Sequence, residues 1–96
     1  MNLARVLEEG IGNLILNKLF KDEEQLNDFL EMAIEIKPGC GELELIEKSK
    51  RIKEFKWEFY LNHKKYDLHI FCFVLADNEF VPYNCLVFEK TEGAEW

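Results

Sequence analysis

The stretch YDLHIFCFVL, residues 66–75, sets His69 and Cys72 three positions apart in the most apolar part of a 96-residue chain. A thiolate beside an imidazole is a nucleophile and its base, and the same two groups are half of a zinc site. A short apolar run rich in aromatic and β-branched residues reads as a strand. Successive side chains of a strand point to opposite faces, so an odd separation places His69 and Cys72 on opposite sides of the sheet. They cannot form a dyad or share a metal.

The other thiols add no chemistry. Cys40, Cys72 and Cys85 are too few and too widely spaced for a disulfide framework or a paired-cysteine metal site. Cys72 and Cys85 share a hairpin face and read as small buried hydrophobes, and His63 sits in a turn out of their reach. Cys40 lies between Gly39 and Gly41 and is the thiol expected at the surface. Its nearest basic residue is Lys37, which does not point to a lowered pKa. The Gly10-Ile11-Gly12 triplet follows no strand and lacks the third glycine of a phosphate loop. No catalytic residue, metal ligand or cofactor site is assigned.

The elements that position these residues are legible in the periodicity. Leu3, Val6, Leu7, Ile11, Leu14, Ile15 and Leu19 recur at helical spacing over Asn2–Phe20, with a kink or break open at Gly10 and Gly12. Asp22 is a good N-cap with Gln25 as its capping-box partner, and Leu26, Phe29, Leu30, Ala33 and Ile34 form the apolar stripe of a second helix. Glu24, Asp28, Glu31 and Glu35 line the opposite face of that helix. Pro38-Gly39 ends it, in a turn that carries Cys40.

From Gly41 the period changes to two. Strands are expected at Leu43–Lys48, Ile52–Leu61, Tyr66–Ala76 and Phe80–Glu89, joined by short polar links that make an antiparallel meander. Pro82 marks an edge or bulge. The reading is one α+β domain over 1–96. A helical hairpin, 1–36, packs on a four-stranded antiparallel sheet, 42–89, in two layers (ααββββ), and residues 90–96 fray as a tail.

Even-length hairpin loops would carry side-chain parity across the sheet. One face would then hold Phe55, Trp57, Phe59, Leu61, Leu68, Ile70, Cys72, Val74, Val81, Tyr83, Cys85 and Val87, and take both helices. The other would hold Glu54, Lys56, Glu58, Tyr60, Asp67, His69 and Asn84, with an apolar group comprising Phe71, Phe73, Leu75, Phe80, Leu86 and Phe88. Two helices cover one face of such a sheet. The uncovered group, above all Phe71, Phe73, Phe80, Leu86 and Phe88, is expected to contact a partner or a second copy unless the tail or a helix covers it.

Charge narrows the partner. The net charge of −7 is confined to one half: residues 1–47 hold 4 Lys+Arg against 11 Asp+Glu, whereas residues 48–96 hold 8 of each. Such a field favours basic partners and disfavours phosphate backbones and anionic membrane. Residues 48–65 interleave lysine with aromatics, as single-strand binders do. There, however, Phe55, Trp57 and Phe59 fall on the core-facing side and Lys56 alternates with Glu54 and Glu58. No secretory signal and no apolar run of membrane-spanning length is seen, and the odd cysteine count suits a reducing compartment, so a cytoplasmic location is expected.

In size and charge the chain resembles bacterial toxin-immunity proteins and phage-encoded inhibitors. That resemblance implies a non-enzymatic binding protein that neutralises a basic partner such as a nuclease. The acidic face Glu24, Asp28, Glu31 and Glu35 would speed the encounter, and exposed sheet aromatics would hold the complex. The alternative is a homodimeric adaptor or chaperone-like subunit joined through the second sheet face.

Overall fold

The computed structural model describes residues 2–34, 42–61 and 63–90. Two helices, α1 (Leu3–Ile15) and α2 (Glu23–Ile34), precede strands β1 (Glu42–Lys48), β2 (Ile52–Leu61), β3 (Lys64–Val74) and β4 (Phe80–Lys90). The strands form one antiparallel sheet in the order β1-β2-β3-β4, the meander that the short links require. It is a two-layer α+β fold with both helices on one side. Glu35, the 35–41 segment with Cys40, and the tail from 91 onward lie outside the described residues.

Helix α1 starts where Asn2 Oδ1 accepts the Ala4 amide at 3.0 Å, satisfying one of the amides that a helix start leaves open. It runs unbroken through both glycines. Gly12 packs close to β4: a Cβ there would lie 3.4 Å from Cys85 Sγ, at van der Waals contact. The helix is shorter than expected and stops at Ile15. Asn17 then takes a left-handed conformation, φ 68°, which Asn tolerates. That turn returns the chain to the sheet, where Phe20 and Phe80 exchange backbone hydrogen bonds of 2.9 and 3.0 Å. Helix α2 begins at the expected cap, Asp22 Oδ1 accepting from Gln25 N at 2.8 Å, while Gln25 Oε1 accepts from the amide of Lys21, one residue before the cap, also at 2.8 Å.

The core lies between the helices and one sheet face. Ala4, Ile11 and Ile15 of α1 and Leu26 and Leu30 of α2 meet Phe55, Trp57, Phe59, Tyr66, Leu68, Ile70, Cys72, Cys85 and Val87. Aromatic contacts run across the sheet side of this core, with Phe55–Phe80 ring centroids 5.2 Å apart and Phe59–Tyr66 5.5 Å, and Phe29 of α2 meets Phe20 edge-on at 5.8 Å. Asn27, on the inner side of α2, accepts from Trp57 Nε1 at 3.2 Å. A buried indole N–H needs such a partner.

One expectation is corrected at the β3–β4 hairpin. Val74 pairs with Phe80, so the connection Leu75–Glu79 has an odd length and parity is inverted at its far side. Phe80 is therefore fully buried in the core, and Val81 and Tyr83 turn to the opposite face instead of the core face. A bulge then restores the original parity: Phe71 opposes Asn84, while Cys72 opposes Pro82, leaving Tyr83 as the extra residue. Cys85 and Val87 consequently return to the core, as the alternation predicts.

Candidate functional site

The side of the sheet away from the helices carries two distinct regions. Along the end of β3, the length of β4 and the start of β2 runs an apolar strip: Ile52, Phe71, Phe73, Val81, Tyr83, Leu86 and Phe88. Phe73 is 49% exposed, Phe88 51% and Tyr83 39%. Tyr83 stacks on Phe73 with ring centroids 4.2 Å apart, and lies 6.4 Å from Phe71. Half-exposed rings of this kind together offer on the order of 300 Å² of apolar surface, the range in which a patch is often functional. Of the residues expected here, the structure brings together Phe71, Phe73, Leu86 and Phe88. It removes Phe80 and supplies Tyr83 and Val81, for which even-length loops predict a place in the core.

The other region is ionic. Glu58 accepts from Lys65 at 3.0 Å and from Lys90 at 3.1 Å, and Lys90 reaches Asp67 at 3.3 Å. Lys56 lies 3.9 Å from Glu58 and 4.0 Å from Asp67. The hydrogen bonds from Lys65 and then Lys90 hold the Glu58 carboxyl below its usual value, and hydrogen bonds to Glu58 in turn raise both lysines. Asp67 is only 7% exposed, and its Oδ1 has no partner among the described residues.

Between the two regions stands His69, with Nδ1 3.2 Å from Glu54 Oε2 and its ring in a T-shaped contact with Phe88, centroids 5.5 Å apart. Cys72 projects from the same strand into the core, so the two groups lie on opposite faces. Burial pushes the Cys72 thiol up to about 12; burial first and the Glu8 charge second push Cys85 up to about 11. Both are free. Among the described residues no cluster of three or more His, Cys, Asp or Glu has the spacing to hold a metal ion.

The acidic helix face is separate from this surface. Glu24 and Asp28 are exposed on α2, and Glu31 is half-buried, accepting from Asn27 Nδ2 at 3.1 Å. Because α2 packs on the core face, these acids point away from the aromatic strip, and one flat interface cannot include both. The basic-aromatic stretch 48–65 presents no stacking platform either, since Phe55, Trp57 and Phe59 are fully buried. Lys53 of that stretch is buried as well, its Nζ 5.2 Å above the Phe80 ring.

Edge protection explains why the face, not the edge, is the available surface on the β4 side. Asn17 N donates to Pro82 O at 3.0 Å, Pro82 has no amide to offer, and the Val87 amide is taken by Glu8 Oε2 at 3.0 Å. A bulge, a proline and a capping carboxylate are the devices that keep a sheet edge from recruiting another strand. No described helix is long and apolar enough to cross a membrane. Comparison with protein-family models, curated proteins and solved structures finds no match for the chain.

Proposed function

We propose that this protein acts by binding another protein across the open face of its sheet. The observation that carries this reading is the strip Phe71, Phe73, Tyr83, Leu86 and Phe88 on a face that neither helix covers. Large rings held by cross-strand stacking lose little conformational entropy on association, which makes them effective interface anchors. The acids Glu24, Asp28 and Glu31, on the other layer, act at a distance: they add to a field that speeds the approach of a basic partner. The narrower reading is an inhibitor or immunity-type protein that neutralises such a partner, acting non-enzymatically in a reducing, cytoplasmic setting. It is supported by the net charge of −7 and by the buried free thiols Cys72 and Cys85.

The test is capture from the extract of the protein's own host, comparing the native chain with a variant carrying Phe73→Lys and Phe88→Lys. The expected result is one protein partner in stoichiometric amount with the native chain and none with the variant. Recovery of no partner, or equal recovery by both chains, would overturn the assignment of this face.

A further inference from the structure

Resting on the binding-face reading above, the charge pattern around the strip identifies the chemistry of the occupant. We propose that the face takes a basic polypeptide segment. A Lys or Arg side chain of that segment enters between Glu47 and Glu54 over the ring of Phe71, and apolar neighbours lie along Phe73, Tyr83 and Phe88.

The register of β1 on β2 sets Glu47 directly opposite Glu54. Like charges facing each other across a sheet are unfavourable, and a cation between them reverses the sign of the interaction. Both carboxylates line one hollow with Ser49, Ile52 and Phe71. The lysines of this face do not serve it. Lys56, Lys65 and Lys90 are engaged with Glu58 and Asp67 at the other end of the sheet. Glu54 has His69 on one side, and Glu47 has no cationic group within 4.0 Å among the described residues.

The hollow thus offers a carboxylate pair and an aromatic face, the two groups that bind guanidinium or ammonium together. Beside it the half-exposed rings supply the apolar contact. A second copy of the chain would bring the same pair of carboxylates to the interface, so the field that attracts a cation works against self-association.

The experiment is selection of random twelve-residue peptides displayed on phage against the full-length protein at low salt, with binding then measured for the enriched sequences as synthetic peptides. The expected winners combine Lys or Arg with aromatic or aliphatic residues and weaken as salt is raised. They lose at least about tenfold in affinity for a Glu47→Lys, Glu54→Lys variant, and they do not bind Phe73→Lys. Circular dichroism melts establish that each variant is folded, and the neutral pair Glu47→Gln, Glu54→Gln gives a smaller loss in the same direction.

Enrichment of uncharged or acidic peptides that still require Phe73 would overturn the basic occupant and leave the binding face standing. Winners indifferent to Phe73→Lys would overturn both readings. A concentration-dependent dimer in sedimentation, abolished by Phe73→Lys, would identify a second copy as the occupant and overturn the proposal.

Discussion

Phe73 and Tyr83 stack at 4.2 Å between centroids on the solvent side of a hairpin, and the odd-length connection before β4 is what puts them on the same face. Such a pair stabilises the fold by about 0.5–1.5 kcal/mol beyond the area it buries. With the half of the ring that is buried added to the stack, Phe73→Ala is expected to lower stability by about 1–3 kcal/mol, measured by denaturant unfolding. The same change should weaken a complex formed on this face by tenfold or more, as loss of a central aromatic anchor does. A stability loss without an affinity loss would mean that the stack serves only the hairpin.

Phe80 and Phe88 belong to the same strand and should behave oppositely. Phe80 is fully buried and packs on Phe20 and Phe55, with centroids 6.0 and 5.2 Å away. Phe80→Ala should cost about 3–5 kcal/mol through lost burial and a cavity. In a domain this small that approaches the whole stability. Phe88→Ala, at a side chain 51% exposed, should cost about 1 kcal/mol or less. Similar losses at both positions would contradict the inverted parity of the hairpin.

These two residues also show what a sequence can and cannot disclose. The period of two along Phe55, Trp57, Phe59 and Leu61 assigned β2 to the core with no further information, because each strand obeys one local rule. The face of Phe80 depends on whether the preceding connection is odd or even. That in turn rests on Asp77 and Asn78 both adopting positive φ, 62° and 65°, which no hydrophobic pattern reveals. Pro82 signalled an irregularity in β4, yet its register was visible only in the pairing of Phe71 with Asn84 and Cys72 with Pro82. The acids of α2 were recognisable as a stripe. That they sit on the opposite layer from the aromatic strip follows from which face the helix buries, a tertiary fact.

The thiols give a pH prediction. Burial favours the neutral form of Cys72, pushed up to about 12, and of Cys85, pushed up to about 11, against an ordinary value of 9.0. Their contribution to stability is complete below pH 9, where both states hold the proton. It is lost as pH rises towards 11–12, because the unfolded chain ionises first. In native protein at pH 8 neither thiol should react measurably with iodoacetamide, whereas both should react in denaturant. Rapid labelling of Cys72 in the native state would show that the core opens locally.

Glu58 works in the other direction. Its carboxyl is held below the ordinary 4.5 by Lys65 and Lys90, so its stabilisation is present above pH 4.5 and disappears as pH falls through the lower folded value. The side chain is 37% exposed, and solvent screening limits the effect to about 0.2–1 kcal/mol. Urea midpoints measured from pH 6 down to pH 3 should fall less steeply for Glu58→Gln than for the native chain, and 0.5 M salt should narrow the difference. Identical slopes would show that the lysine pairs contribute nothing.

The Glu8 carboxylate and the Val87 amide, 3.0 Å apart, make the most specific prediction about the sheet edge. A hydrogen bond to a charged acceptor contributes about 1.5–3 kcal/mol, and its loss leaves an edge amide without its cap. Glu8→Ala should destabilise the protein by about that amount and make the Val87 amide exchange with solvent deuterium markedly faster. Glu8→Gln keeps an acceptor oxygen at the same reach and should recover much of the protection. Because an uncapped edge is a template for another strand, Glu8→Ala should also aggregate sooner than a core variant of equal stability, since the defect lies in pairing and not in packing. Unchanged exchange at Val87 would mean that the bulge and Pro82 protect the edge without the carboxylate.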